Sequence, residues 1–553
     1  ESLARAWSTD RAKIEESSIE VTRQLEQYST ANDARAAADA GLVDSAFYHF
    51  RRVFDSRLGG FGGAPKFPRP AVHNFLLRHY SRAQNDEALD MTLLTLREMA
   101  KGGMHDHLGG GFHRYSVDDH WFVPHFEKML YDQAQLAASY LEAYQITHEP
   151  FFAAAARDIF DYVLRDLTHP DGGFYSAEDA DSAIDPDKPN IKGEGAFYIW
   201  SHEELARVLD SNSLEWFCYR YGVEKDGNVH EDPHHEFTGR NILFEAHTIE
   251  QTASQFDATP EEVKAALDAA CAVLLEVRSK RPRPHLDDKV LTAWNGLMIS
   301  AFAKGGQILG DTLYTDAAER ATRFVLRQMF DPERVVLLRR FRESEAAIPG
   351  FLDDYAFFTN ALIDLYETTF EPYYLELASQ LASKMIALFE DPEKGAFFST
   401  AEGDSNLILR MKEDYDGAEP SGNSIAALAL MRLSRMLDRE DFGEAASRAI
   451  GALSSRMQAS PTSVPQLLVA FMYSLAAPSQ VVIAGDRAQA APLLQAVRSR
   501  FLPNTAVLMP GIGGVHALDG MKPVDGKPAA YVCENFTCQQ PVTDVAQLLE
   551  LLK

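Results

Sequence analysis

TAWNGLMISAFA, residues 292–303, has the composition of a helix and carries no charge on any face. A helix with no polar side has nothing to offer water, so it must be enclosed by protein. The segment that follows, 313–329, reads differently. Tyr314, Ala317, Ala321, Phe324 and Val325 fall on one face and Asp316, Glu319, Arg320, Arg323 and Arg327 on the other, which is the pattern of a helix with one side in solvent. YAFFTNALI (355–363) and GNSIAALALM (422–431) repeat the uncharged pattern, and 129–141 holds only Asp132. Outer and inner helices therefore alternate along the chain, as they do when helical hairpins close into an α/α toroid.

Long helices are predicted at 43–55, 70–82, 86–102, 128–147, 151–166, 260–279, 292–309, 313–329, 354–369, 373–389, 422–437, 441–457 and 464–476. Glycine-rich aromatic turns LGGF (58–61), LGGGF (108–112), DGGF (171–174) and KGAFF (394–398) mostly follow an outer helix and precede an inner one. Phe61, Phe112 and Phe174 are 51 and 62 residues apart and Phe398 lies 224 further on, a period that marks a repeat fold. Glycine permits the sharp reversal while the ring anchors the loop. The expected fold is mainly α, an (α/α)6 toroid, with a seventh hairpin left open by the irregular segment 193–222.

The ends of the chain differ from this body. Residues 1–30 open directly into a helical pattern (Leu3, Trp7, Ile14, Ile19, Leu25) and read as the tail of a preceding domain, the toroid as 31–478, and 479–553 as a small α/β lobe. In the lobe QVVIAG (480–485), TAVLM (505–509) and AAYVCEN (529–535) read as strands and 487–500 as a helix.

Composition bounds the function. Hydrophobic residues at 46% and aromatics at 10% supply a sizeable core, while a formal charge of −28 repels polyphosphate and anionic lipid. Neither nucleic acid nor membrane is an expected partner. No apolar run approaches the roughly 20 residues needed to cross a bilayer, and the first 30 residues are charged and polar, so a cytoplasmic protein is expected. Four cysteines make no disulfide framework. Cys218 and Cys271 read as buried thiols. Cys533 and Cys538 lack the two-residue spacing of redox helices, and free thiols are expected there over a disulfide or a labile metal pair.

If the ring closes, every inner helix starts on one face and the loops there wall a single cavity. HDHLGGGFHRYSVDDHWFVPHF (105–126) leads to that face with five of the chain's 17 histidines. His125 and Glu127 follow Pro124 at the start of an inner helix, as a proton shuttle and a general acid or base, with Lys128 stabilising anionic oxygen. LDDYAFFTN starts another inner helix, where Asp354 is the second candidate catalytic carboxylate beside Asp353 and Tyr355. The acidic loop Glu178, Asp179 and Asp181, the helix starts Trp294, Asn295, Glu419, Ser421 and Asn423, and the aromatics Tyr115, Trp121 and Phe122 complete a set of residue types suited to a sugar. His105 and His107 form an H-x-H without diagnostic spacing for a third ligand, so no metal and no cofactor are expected.

FGGAPKFPRP (61–70), HLGGGFHRYSVDDHWFVPHFEKMLYDQA (107–134), GGFYSAEDADS (172–182), EGAFYIW (194–200), PHLDDKVLTAWNGLMISAFAKGG (284–306), GFLDDYAF (350–357), EPSGNS (419–424) and YVCENFTCQQP (531–541) together resemble the spermatogenesis-associated protein 20 family. Its members are described as thioredoxin-domain-containing proteins, with a body similar to six-hairpin glycosidase and N-acylglucosamine 2-epimerase toroids. The resemblance implies that a thioredoxin-like domain precedes residue 1, with 1–30 as its final helix. It also implies a carbohydrate-active toroid that binds a sugar as its small-molecule partner, epimerase-like or glycosidase-like. The alternative is a non-catalytic binding or scaffold protein whose redox activity resides in that preceding domain. Epimerisation asks for two acid/base groups, commonly histidines, and beside His125 only His113 offers itself.

Overall fold

The computed structural model describes residues 2–30, 39–230, 237–403, 407, 409–512, 518–535 and 537–552. Its core is two concentric layers of helices: α1 (Gly41–Val53), α2 (Pro70–Ala83), α3 (Asp86–Lys101), α4 (Leu130–Thr147), α5 (Pro150–Asp166), α6 (Thr292–Leu309), α7 (Thr312–Gln328), α8 (Leu352–Thr369), α9 (Pro372–Phe389), α10 (Gly422–Leu437), α11 (Glu440–Ala452) and α12 (Pro465–Leu475). The even-numbered helices pack side by side in the order α2, α4, α6, α8, α10, α12, and α12 returns to α2. That closure makes the fold an (α/α)6 toroid and settles the hairpin number at six.

Burial follows the charge pattern that separates the two layers. The outer helix α7 buries Tyr314, Ala317, Ala318, Ala321, Thr322, Phe324 and Val325, one stripe, and leaves its charges in water. The inner helix α8 buries residues all round, from Leu352 to Thr369. A hydrophobic stripe of about 100° suffices on an outside helix, whereas an inner helix touches two ring neighbours and its own outer partner.

The two faces of the ring are built differently. Each inner helix through α10 ends on one residue in the left-handed region, Gln84, His148, Gly310, Phe370 or Asp438, and one extended residue later the next outer helix starts. These tight turns close one face. The returns from outer to inner helix are long and gather on the other.

Four of the long returns share one construction. Phe61, Phe112, Phe174 and Phe397 each bridge back to a residue shortly after the preceding outer helix, Phe54, His105, Thr168 and Glu390, so the fourth member of the repeat is Phe397 rather than Phe398. Two residues earlier stands a glycine at positive φ, Gly59, Gly110, Gly172 or Gly395, whose Cβ would lie within 3.0 Å of backbone in the following outer helix. The inner helix then clamps the phenylalanine's main chain with an amide in three cases. Gln133 takes both groups of Phe112, Asn295 those of Phe174 and Asn423 those of Phe397. Asn295→Ala leaves the buried Phe174 amide and carbonyl unpaired, so a loss of about 1–3 kcal/mol is expected in urea unfolding. A change below about 0.5 kcal/mol would show that the clamp is dispensable.

Between α5 and α6 the chain makes a long excursion. Helices His202–Val208, Ser211–Arg220, Ile249–Gln255 and Pro260–Arg278 surround a separate apolar cluster that includes Trp200, Leu205, Phe217, Val263 and Leu274. The irregular segment 193–222 and the helix predicted at 260–279 belong to this excursion and to neither layer of the ring. Cys218 and Cys271 are free and half-buried here, more exposed than expected.

At the carboxyl end a four-stranded sheet runs in the order Thr505–Leu508, Ser479–Ala484, Ala529–Glu534, Thr537–Cys538, with the first pair parallel and the others antiparallel. Its apolar residues join the core of the toroid. Cys533 and Cys538 are directly opposite across the last pair and form a disulfide, which corrects the expectation of free thiols: the strand register sets the two side chains face to face. Helices Ser2–Thr9 and Arg11–Thr30 leave Trp7, Ile19 and Val21 exposed. Among the described residues no helix is long and apolar enough to cross a membrane.

Candidate functional site

The amino ends of the inner helices meet the long returns on the open face. Short strands trim it: Lys128–Met129 pairs with Ala177–Glu178 and that with Leu286–Asp287, while Val290–Leu291 pairs with the hairpin Val336–Arg342 and Glu345–Pro349. These strands fix the main chain just before α4, α6 and α8, and so fix where the first-turn side chains point.

A connected line of side chains crosses this face. Arg114 donates to Glu127 Oε2 at 2.8 Å and to the Tyr131 hydroxyl at 3.2 Å. Tyr131 meets Trp294 edge to face at 5.0 Å between centroids. Trp294 Nε1 donates to Glu419 Oε2 at 2.8 Å. Beyond it Arg339 donates to both oxygens of Asp353 at 3.1 Å. On the other flank His125 Nδ1 pairs with Glu194 Oε1 at 2.8 Å, and its Nε2 lies 3.7 Å from Glu127 Oε2. Tyr115 stacks on the His125 ring and Phe67 on Tyr115.

Electrostatics single out Glu419. Its carboxyl is only partly open to solvent and walled in by protein. Burial first, then the Asp353 carboxylate, push its pKa up to about 7, against the Trp294 hydrogen bond and Arg339. It can therefore hold or release a proton near neutrality, which is what an acid catalyst needs. Asp132, buried in the first turn of α4, keeps one oxygen without a hydrogen-bond partner. Burial raises it well above the usual carboxylate range, and Glu419 and Glu127 add to the rise while Arg114 opposes it. The hydrogen bond that His125 Nδ1 donates to Glu194, helped by the Glu194 and Glu127 charges, raises the His125 pKa against its partial burial.

His125, Glu127, Tyr115, Trp294, Asp353 and Glu419 are thus brought together. Other expected site residues are used elsewhere. Lys128 is buried, bound to Asp106 Oδ2 at 2.8 Å and the Gly110 carbonyl at 2.7 Å. Trp121 is enclosed with its indole N–H on the Leu58 carbonyl. Glu178 accepts from Tyr162 and Arg283, and Tyr355 accepts from the Leu337 amide. Asp179 is half-buried and accepts from the Asp181 amide. Asn295 and Asn423 are the loop clamps, and Ser421 caps α10.

Asp354 also changes role. Its oxygens accept from the Ala293 and Phe351 amides and from Arg339, stitching α8 to α6. Burial and Asp353 push it up to about 7, but it is 0% exposed, so its carboxyl offers no surface to a substrate. His113 is buried with Nδ1 on the Phe126 carbonyl, which leaves His125 as the histidine of this line. His105 pairs with Asp158 and His107 with the Gly102 carbonyl. Among the described residues no group of three or more His, Cys, Asp or Glu is placed to hold a metal ion.

Arg114, Tyr131, Asp132, Glu194 and Arg339 were not singled out in the sequence. Asp132 had a signal, being the sole charge within an otherwise uncharged inner helix stretch. Arg339 had none, because its hairpin offers several arginines and register alone selects one.

No family model matches the chain. A human protein, spermatogenesis-associated protein 20, is 37% identical over 586 residues that take in 100% of this chain and 74% of the relative. An uncharacterised protein of Caenorhabditis elegans is 35% identical over 576 residues, 99% of this chain and 78% of its own. Among solved structures, a sugar epimerase from a ruminal bacterium superposes with a TM-score of 0.48 at 12% identity, covering 78% of this chain and 86% of that one.

Proposed function

The chain belongs to the spermatogenesis-associated protein 20 family, and from that premise we propose that its toroid hydrolyses a glycosidic bond on the open face, at the inner-helix amino ends. The observation that carries the reading is Glu419: a half-buried carboxyl with a pKa of about 7, anchored by Trp294 on one oxygen and facing the Arg339–Asp353 pair. Glu419 protonates the leaving oxygen as general acid. Asp353 or Glu127 supplies the second carboxylate that activates water or takes the sugar carbon. Trp294, Tyr131 and Tyr115 offer ring surface for a sugar's apolar face, and Arg114 holds Glu127 in place.

Epimerisation by a histidine pair is less well supported, since His113 is enclosed. The test is to incubate the protein with a panel of disaccharides and short oligosaccharides in D₂O and follow them by NMR. Release of new reducing ends is the expected result. Deuterium at C2 without release would replace hydrolysis with epimerisation, and neither across the panel would favour a binding protein without chemistry.

Trp294→Phe keeps the ring and removes the donor that lowers Glu419. The Glu419 pKa then rises, and the alkaline limb of the pH profile should move to higher pH. A limb that stays in place or moves down would remove Glu419 from the acid role.

A further inference from the structure

A cavity of about 330 Å³ runs along the toroid axis, lined by all six inner helices and by residues 497–507 of the carboxyl-terminal lobe. It is distinct from the site above. Tyr131, Trp294, Asp353 and Glu419 do not line it, and Gln135, which donates to the Ala418 carbonyl, stands at its near end together with Pro420. Its size falls within the roughly 300–1,000 Å³ of small-molecule sites.

The walls carry six cations against three carboxylates, a net +3 inside a chain of −28. In the interior the charges are matched. Glu142 takes Arg78 through two hydrogen bonds and Lys304 at 3.2 Å. Arg432 pairs with Asp364 and Glu367. Toward the lobe they are not matched. Arg82 and Arg500 are exposed and have no ion-pair partner among the described residues. Arg498 gives its hydrogen bonds to the main-chain carbonyls of Glu367 and Thr368. Burial, then the neighbouring Arg487, push Arg498 down to about 10, against the Glu367 carboxylate. A cleft of one sign within a protein of the other concentrates ions of the protein's own sign at that point, where they would otherwise be repelled.

We propose that the axial cavity binds a small organic anion of monosaccharide size, a phosphate ester or a carboxylate, through Arg82, Arg498 and Arg500. Lys304, which uses one of its three N–H groups on Glu142, and the amide of Asn74 receive the polar body of the ligand deeper in. This site does not depend on the hydrolytic reading.

Calorimetry and thermal shift with inorganic phosphate, glucose 6-phosphate, glucuronate and glucose test it. At least one organic anion should bind about tenfold or more tightly than glucose and raise the Tm, with added salt weakening it. Preference for the phosphate ester or for glucuronate identifies the source of the anionic group. Arg82→Ala with Arg500→Ala, both exposed positions, should weaken that binding about tenfold or more while leaving any sugar hydrolysis unchanged. Glu419→Gln should bind the anion as the wild type does, so loss of hydrolysis and loss of this site are separable. No preference for any of the anions over glucose, or undiminished binding by the double variant, would overturn the proposal.

Discussion

Glu419→Gln is expected to slow whatever glycoside the wild-type chain turns over by about two to four orders of magnitude, the range for loss of a positioned acid. The variant keeps an acceptor for Trp294 Nε1, so that contact survives and the fold should be unchanged. The pH profile supplies the decisive readout. In the proposed mechanism Glu419 acts in its protonated form, which is present below its pKa and lost as pH rises through about 7. Wild-type kcat/KM should therefore fall on the alkaline side of neutrality, and the residual activity of the variant should lack that limb. Unchanged turnover in Glu419→Gln would end the mechanism, and a retained alkaline limb would assign it to another group.

Asp106→Asn should cost about 3–5 kcal/mol of stability, because it removes the negative member of a buried triad. Asp106 bonds Arg278 through both oxygens at 2.7 and 2.8 Å and Lys128 at 2.8 Å, with all three side chains at most 4% exposed. Neutralising it leaves two cations buried together. Burial alone would raise Asp106, yet Arg278 and Lys128 hold it well below the usual carboxylate value. Its contribution is thus fully present above the unfolded pKa of about 3.9 and is lost as pH falls below that toward the folded value. Wild-type urea midpoints should drop over that acid range and those of the variant should drop less. Arg278 ends the helix Pro260–Arg278, so hydrogen exchange should quicken there first. A loss under about 1 kcal/mol at neutral pH would mean that the triad is held by something other than this carboxylate.

The ring was legible because its signals are local. Presence or absence of charge within one helix separates inner from outer, and the glycine–phenylalanine turns mark four of the six returns. The site was legible as a face and less so as a set of residues. Asp353 and Asp354 are neighbours in the same first turn, yet one is partly exposed on the open face with Arg339 and the other is buried between two helices. Asn295 and Glu419 are both polar groups at helix starts, but Asn295 reaches back to a loop formed 121 residues earlier, while Glu419 reaches Trp294 across the ring.

By itself the sequence determined the repeating hairpin, the layer of those helices whose charge is one-sided or absent, and the open face where the inner helices begin. Periodicity and solvation act within a few turns of one chain segment, so those properties need no knowledge of neighbours. The closure at six, the charge-lined axis and the partial exposure of Glu419 where Asp354 is enclosed were decided by the tertiary structure. A carboxyl's proton affinity depends on the burial and charges around it, and Lys304, Asp364 and Arg432 stand just beyond the uncharged stretches that define the inner ring. Their partners come from other helices, and only the closed ring brings them together.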